Sequence, residues 1–170
     1  MKVRILTSTD TNAFRALRLQ AIQDSPAAFL QTEVEFKVLN TAELEKWIEV
    51  SENRVTVGAF DDNGLIIGIA GLRRESGDKI RHKAQVWGVF VVPEARGKGV
   101  SRMMMNTLIS EARLRVGLSH LCLSVAESQF SARALYKSIG FQTYGIEPRA
   151  LWIDGHFLDE ELMIYDLKTQ

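Results

Sequence analysis

One cysteine, Cys122, in 170 residues excludes an internal disulfide. Its apolar setting, LCLSV, marks it as a small buried thiol rather than a nucleophile. Only three prolines, no low-complexity stretch and no internal repeat leave nowhere for a linker. The expectation is one domain over residues 1–170, large enough to bury a core without staples. Net charge is missing as well. Lys+Arg and Asp+Glu stand at 21 each, so the overall balance steers the chain toward neither nucleic acid nor an anionic membrane. No apolar run approaches the roughly 20 residues that span a bilayer. The start, MKVRILTSTD, lacks the apolar core and cleavage site of a signal peptide. A reducing cytoplasm is the expected compartment. His82, His120 and His156 are scattered without metal-ligand spacing, so no metal is expected.

What is present is ordinary globular material, 46% hydrophobic and 25% charged, with legible periodicity. Val3 to Thr7 reads as a first strand. Thr9 or Asp10 can cap a helix with Phe14, Leu17, Ala21 and Ile22 on one face, stopped at Ser25-Pro26. A looser segment, AFLQTEVEF, follows, and Asn40 with Glu43 forms a capping box before Leu44, Trp47 and Ile48. RVTVGAF and LIIGIAGL are strands joined at Asn63-Gly64. After a polar connection, VWGVFVV is a strand and a helix begins past Gly99. That helix carries Val100, Met104, Leu108 and Ala112 on a wide apolar face. HLCLSV is a strand. Ser128 opens a helix that Gly140 closes, and FQTYGIE and EELMIYDL are closing strands. Hairpin strands followed by one βαβ unit predict an α/β (α+β) fold. Its sheet is mixed and mostly antiparallel, with about four helices on its faces.

The stretch PEARGKGVSR, Pro93 to Arg102, interrupts this regularity with two glycines one residue apart between strand and helix. A P-loop fails, because no glycine stands at the required upstream spacing. A dinucleotide fingerprint is weak, because Arg102 occupies the third glycine position. Two readings remain open on these residues alone. One is a phosphate site of bare amides, the helix N-terminus, Arg96 and Lys98. The other is a tight turn with solvated basic side chains.

Taken with its neighbours, the loop resembles a known motif. Val89-Phe90-Val91-Val92-Pro93-Glu94-Ala95-Arg96-Gly97-Lys98-Gly99-Val100-Ser101 is similar to the acyl-CoA motif of the GCN5-related N-acetyltransferases (GNAT). Downstream, Leu123-Ser124-Val125 and Ala132-x-x-Leu135-Tyr136-x-x-x-Gly140-Phe141 resemble that family's second signature. The likeness covers roughly Val55 to Tyr165. It departs at Ser101, where glycine or alanine is usual, and at Gln129, where the family has an asparagine near the cofactor arm.

The resemblance implies acetyl-CoA as cosubstrate and a sheet splayed between the strand at Val86 to Val92 and the one at His120 to Val125. The pantetheine arm would run along Val89, Phe90, Val91 and Val92. The pyrophosphate would rest on Arg96, Gly97, Lys98, Gly99, Val100 and Ser101, with Gln129 and Tyr136 nearby. A substrate amine would attack the thioester directly, with the Val91 N–H as oxyanion donor and Tyr136 as proton donor to the leaving thiolate. No general base is identified, since Gln85-Val86-Trp87-Gly88 carries no carboxylate and a water relay would suffice. Glu33, Glu35, Trp87 and Trp152 are candidates to line the acceptor pocket, with His156 and Glu160 near it. The bland readings are solvated loop acids and an edge hairpin turning at Asp154-Gly155. The expected partners are acetyl-CoA and an amine of a small molecule or peptide, with a homodimer left open. The rival is a non-catalytic acyl-CoA-binding sensor or scaffold, which would keep the loop motif without needing Tyr136.

Overall fold

The computed structural model describes residues 1–168. Seven strands form one open sheet in the order β1-β2-β3-β4-β5-β7-β6: β1 Lys2–Ile5, β2 Arg54–Phe60, β3 Ile66–Arg74, β4 Lys83–Val91, β5 His120–Ala126, β6 Gln142–Ile153 and β7 His156–Asp166. Every pairing is antiparallel except β4 with β5. That exception is forced. A helix, α4 (Val100–Arg113), carries the chain from the end of β4 back to the start of β5, and such a crossover yields parallel strands.

Four further helices complete the fold: α1 Thr11–Asp24, α2 Glu33–Lys37, α3 Thr41–Ile48 and α5 Phe130–Ile139. The expected mixed sheet with helices on its faces is what forms. The segment read as loose, AFLQTEVEF, starts on the last residue of a short 3-10 turn at Pro26–Ala28 and runs into α2. Thr32 and Glu35 make a reciprocal capping box there, a signal hidden by the brevity of the helix. Asn40 and Glu43 cap α3 as its sequence predicts. α5 starts at Phe130, with Gln129 rather than Ser128 as its N-cap, and Gly140 closes it at φ +116°.

Two apolar clusters hold the helices to the sheet. On one face Phe14, Leu17, Phe36, Leu44 and Ile48 pack with Ile69 and Phe90. On the other, Met104, Met105 and Leu108 of α4 and Tyr136 of α5 pack with Val57, Leu72 and Val91. The side chains of Phe90 and Val91 therefore go to opposite faces, as neighbours on a strand must. Each large side chain so buried contributes about 1.5–3 kcal/mol. Of the three consecutive methionines, Met104 and Met105 are in the core and Met103 is exposed. Cys122 is buried, which raises its thiol pKa. Among the described residues, no helix is long and apolar enough to cross a membrane.

Candidate active site

The two parallel strands part almost as soon as they meet. β4 and β5 pair only from Lys83–His120 to Gln85–Cys122, although β4 runs on to Val91 and β5 to Ala126. A bulge turns β4 aside. Ile69 faces Phe90 while Gly71 faces Trp87, so Gly88 and Val89 together stand opposite Ala70. Gly88 takes φ +65°, a left-handed conformation that strains residues bearing a Cβ. Gly71 serves the same geometry differently. A Cβ there would lie 2.2 Å from the Trp87 indole, which rests across the bare backbone.

Past the bulge, the direction of the main chain decides what the gap receives. Val92 N–H donates to Ile67 O at 3.0 Å, across the ladder to β3. Adjacent strand residues turn their polar groups to opposite edges, so the amide and carbonyl of Val91 face the gap. Arg96 Nε accordingly donates to Val91 O at 3.0 Å. The Arg96 guanidinium also lies 5.6 Å from the Phe90 ring centroid.

The loop beyond has little side chain on it. Gly97 and Gly99 sit at φ +73° and +77°, and a Cβ on either would meet nothing within 4 Å. Gly99 is the N-cap of α4, and the first helical bond runs from Met103 N–H to Gly99 O. The amides of Val100, Ser101 and Arg102 are therefore first-turn donors without intrahelical partners, at the positive end of the helix dipole. A cavity of about 1510 Å³ joins this loop to the gap. It continues to an aromatic chamber under α1, lined by Phe29, Trp47 and Trp87.

Two buried polar groups enter that cavity. The Tyr136 hydroxyl has no hydrogen-bond partner among the described residues. Its side chain packs 5.9 Å from the Phe141 ring. Burial pushes its pKa upward, so the phenol keeps its proton at neutral pH. Arg18 of α1 is 6% exposed, and among the described residues neither its Nε nor its Nη1 has a partner. Its guanidinium lies 4.2 Å from the Phe29 ring centroid, with Trp47 and Trp87 just under 6 Å away. Burial pulls its pKa down to about 10.

The acetyltransferase (GNAT) family matches residues 19–141 of this chain. The chain belongs to the GNAT family. It is 29% identical over 107 residues to human N-acetyltransferase 8, covering 62% of this chain and 42% of that protein. Across the first few such relatives, the matched stretch spans between 22% and 59% of their length. In three dimensions it resembles a GNAT acetyltransferase from Streptococcus pneumoniae, with TM-score 0.87, 23% identity and coverage of 97% and 98% of the two chains. It also resembles yncA from Salmonella typhimurium, solved with its cofactor acetyl-CoA, with TM-score 0.85, 22% identity and coverage of 99% and 95%.

Within this GNAT fold, most of the residues singled out by motif come together. Val89, Phe90, Val91, Arg96, Gly97, Gly99, Val100, Ser101, Gln129 and Tyr136 line the cavity, as do Trp87 and Glu35. Four do not. Val92 turns its amide to β3, and Lys98 lies outside the lining. Glu33 sits on α2, 2.5 Å from Lys37 and bonded by Gln23. Trp152 packs against Phe157, their rings tilted by 60°, at the exposed end of the last hairpin. The Glu35 carboxylate is itself committed to Thr32, accepting from its amide and hydroxyl at 2.8 Å each. Among the described residues, no group of three or more His, Cys, Asp or Glu could hold a metal.

Arg18, Gly88 and Arg102 line the same cavity and were not picked out from the sequence. Gly88 could have been, as a lone glycine inside a strand pattern. So could Arg18, which interrupts the Phe14, Leu17, Ala21, Ile22 stripe at a position on the same face.

Proposed function

We propose that this chain is an acetyl-CoA-dependent N-acetyltransferase, transferring an acetyl group to a primary amine of a small molecule or peptide by direct attack. The observation that carries the reading is the parting of β4 from β5 after three pairs, with the Val91 main chain facing the opening. A flat extended arm can lie there as a short extra strand. The residues fit acetyl-CoA in a second respect. In front of Gly97 and Gly99 there is open space where a Cβ would project, so diphosphate oxygens can approach the loop and α4 amides. The kinship to proteins named N-acetyltransferases supports the same reading, as does the likeness to a fold solved with acetyl-CoA.

When bound, acetyl-CoA supplies the thioester carbonyl as the electrophile. The chain's own groups do the rest. The Val91 N–H donates to the carbonyl oxygen as negative charge builds on it, the term that usually dominates acyl transfer. Arg96, bonded to Val91 O, holds that peptide in place and is a positioning residue rather than an oxyanion donor. The Tyr136 hydroxyl, kept protonated by burial, gives its proton to the sulfur as the carbon–sulfur bond breaks, and the proton that the attacking nitrogen sheds on becoming an amide restores it. An amine of pKa about 10.4 must first lose a proton. Glu35 is poorly suited to take it, because its bonds to Thr32 lower its pKa. The proton leaves through water in the wide cavity. A reducing cytoplasm and a single domain over residues 1–170 complete this reading.

The test uses the intact chain, acetyl-CoA and a panel of primary amines. Calorimetry should register acetyl-CoA binding without acceptor, and free thiol should appear with at least one amine. No heat of binding would sink the proposal. Binding without thiol release on any amine would replace it with the sensor.

A further inference from the structure

Among the described residues, Arg18 is a charged group with nothing charged to answer it. Burying a guanidinium is costly unless it is paired and hydrogen-bonded. The chain otherwise respects that rule. Arg74, equally buried, donates to Glu52, to Val116 O and to Arg81 O. Arg115, which also leaves its Nε unpartnered, bonds Glu111 through Nη1. Among the described residues, the Arg18 guanidinium meets the faces of aromatic rings and finds no acceptor at Nε or Nη1. These hold a cation in place but accept no hydrogen bonds. The carboxylate of Glu35, on the same cavity, is taken by Thr32.

Its position is as informative as its lack of partners. Arg18 Nη1 lies 3.0 Å from where a Cβ on Gly88 would stand, so the bulge glycine admits the guanidinium to β4. Gly88 precedes Val91 by three residues, at most about 10 Å of strand. An anion on Arg18 and an amine at the Val91 carbonyl site would therefore belong to one short molecule.

We infer that Arg18 is the acceptor-binding residue, and that the acceptor is an amino acid or similarly short amine carrying a carboxylate, which pairs with the guanidinium. The inference rests on the acetyl-transfer reading of the same cavity. A planar carboxylate matches the guanidinium fork in two parallel hydrogen bonds. Phe29, Trp47 and Trp87 flank it, which suits an apolar side chain on that acceptor. Polyamines would bring a further positive charge toward Arg18, and lysine side chains remote from a carboxylate would bring no anion to it, so both are disfavoured.

The decisive comparison needs no mutant. L-alanine, L-methionine and L-phenylalanine are each assayed against their primary amides, which keep the amine and lose the charge. Thiol release from acetyl-CoA gives kcat/KM, and thermal stabilisation in the presence of coenzyme A gives binding. At least one acid should exceed its amide by roughly tenfold or more in kcat/KM and should alone stabilise the protein, since a lost charged hydrogen-bond partner weakens binding at least that much. Arg18→Met should bring that ratio to about one, and Arg18→Lys should keep part of it. Amides used as well as acids would overturn the Arg18 assignment while leaving acetyl transfer intact. Acids that neither stabilise the protein nor react would overturn it too. Stabilisation by acids with no thiol release from any amine would instead keep the anion site and remove the transfer reaction.

Discussion

Glu161 and Arg18 are buried to nearly the same depth, 3% and 6% exposed, and the protein treats them oppositely. The Glu161 carboxylate on β7 takes Arg133 Nε at 2.5 Å, Lys137 Nζ at 2.8 Å and the Thr143 hydroxyl. Burial alone would raise its pKa, but these donors outweigh burial and hold it at about 2. Arg18 receives no such company, and its pKa moves the other way from that of a paired arginine. A charge that serves architecture is saturated within the chain, as Glu161 is by pinning α5 to β7. A charge left unsaturated at the wall of a cavity keeps its hydrogen-bonding capacity for something that arrives. Tyr136 belongs with Arg18 in this respect, although it stands on the very helix that Glu161 clamps.

The largest effect should come from the unsaturated side. Tyr136→Phe is expected to lower turnover by about 10²-fold or more, the range for a lost general acid. Acetyl-CoA affinity by calorimetry and melting temperature should change little, because the hydroxyl has no hydrogen-bond partner among the described residues. Unchanged turnover under conditions where chemistry limits the rate would remove Tyr136 from the mechanism.

Next comes the saturated side. Glu161→Gln leaves Arg133 and Lys137 short of a partner. Breaking a fully buried pair costs roughly 3–5 kcal/mol, but both cations are partly exposed, so about 1–3 kcal/mol by urea titration is expected. The acid limb should carry the same signature. Glu161 is depressed from 4.5 and Asp10 from 3.8, each to about 2. A depressed carboxyl stabilises the fold above its unfolded pKa, and that contribution is lost as pH falls from the ordinary range toward 2. Wild type should lose stability over that window, and Glu161→Gln should lose less.

Gly97→Ala should act more mildly. The left-handed backbone costs a Cβ residue about 1–2 kcal/mol, and the methyl would project into the space proposed for the diphosphate. A raised KM for acetyl-CoA with little change in kcat would locate the effect in the cradle. An unchanged KM would mean that the glycine serves only the turn.

The smallest effect is also the sharpest contrast with Glu161. Arg18→Met replaces an unanswered buried cation with an apolar chain of similar reach, which is often neutral or stabilising. Stability measured by urea titration should fall by no more than about 1 kcal/mol. A loss as large as that of Glu161→Gln would show that the guanidinium holds the fold together, and the contrast would fail.

The sequence by itself determined most of the elements, though not α2, and the family. Hydrophobic period, capping pairs such as Asn40 with Glu43, and turn glycines such as Gly140 are local signals, and local sterics and hydrogen bonding decide them wherever the chain goes. The motif from Val89 to Ser101 was legible for the same reason, because a loop that needs bare backbone must spell its glycines close together along the chain. Tertiary structure alone decided which of those residues share one space. Val92 turns to β3 while Val91 turns to the gap, a difference set by strand register rather than residue type. Glu33 and Trp152 left the cavity because α2 and the last hairpin satisfy them elsewhere. Arg18, written in the sequence as one charge on an amphipathic helix, became a buried and unpaired cation only when α1 packed over the β4 bulge. Burial and partnership are properties of long-range packing, and no spacing along a chain encodes them directly.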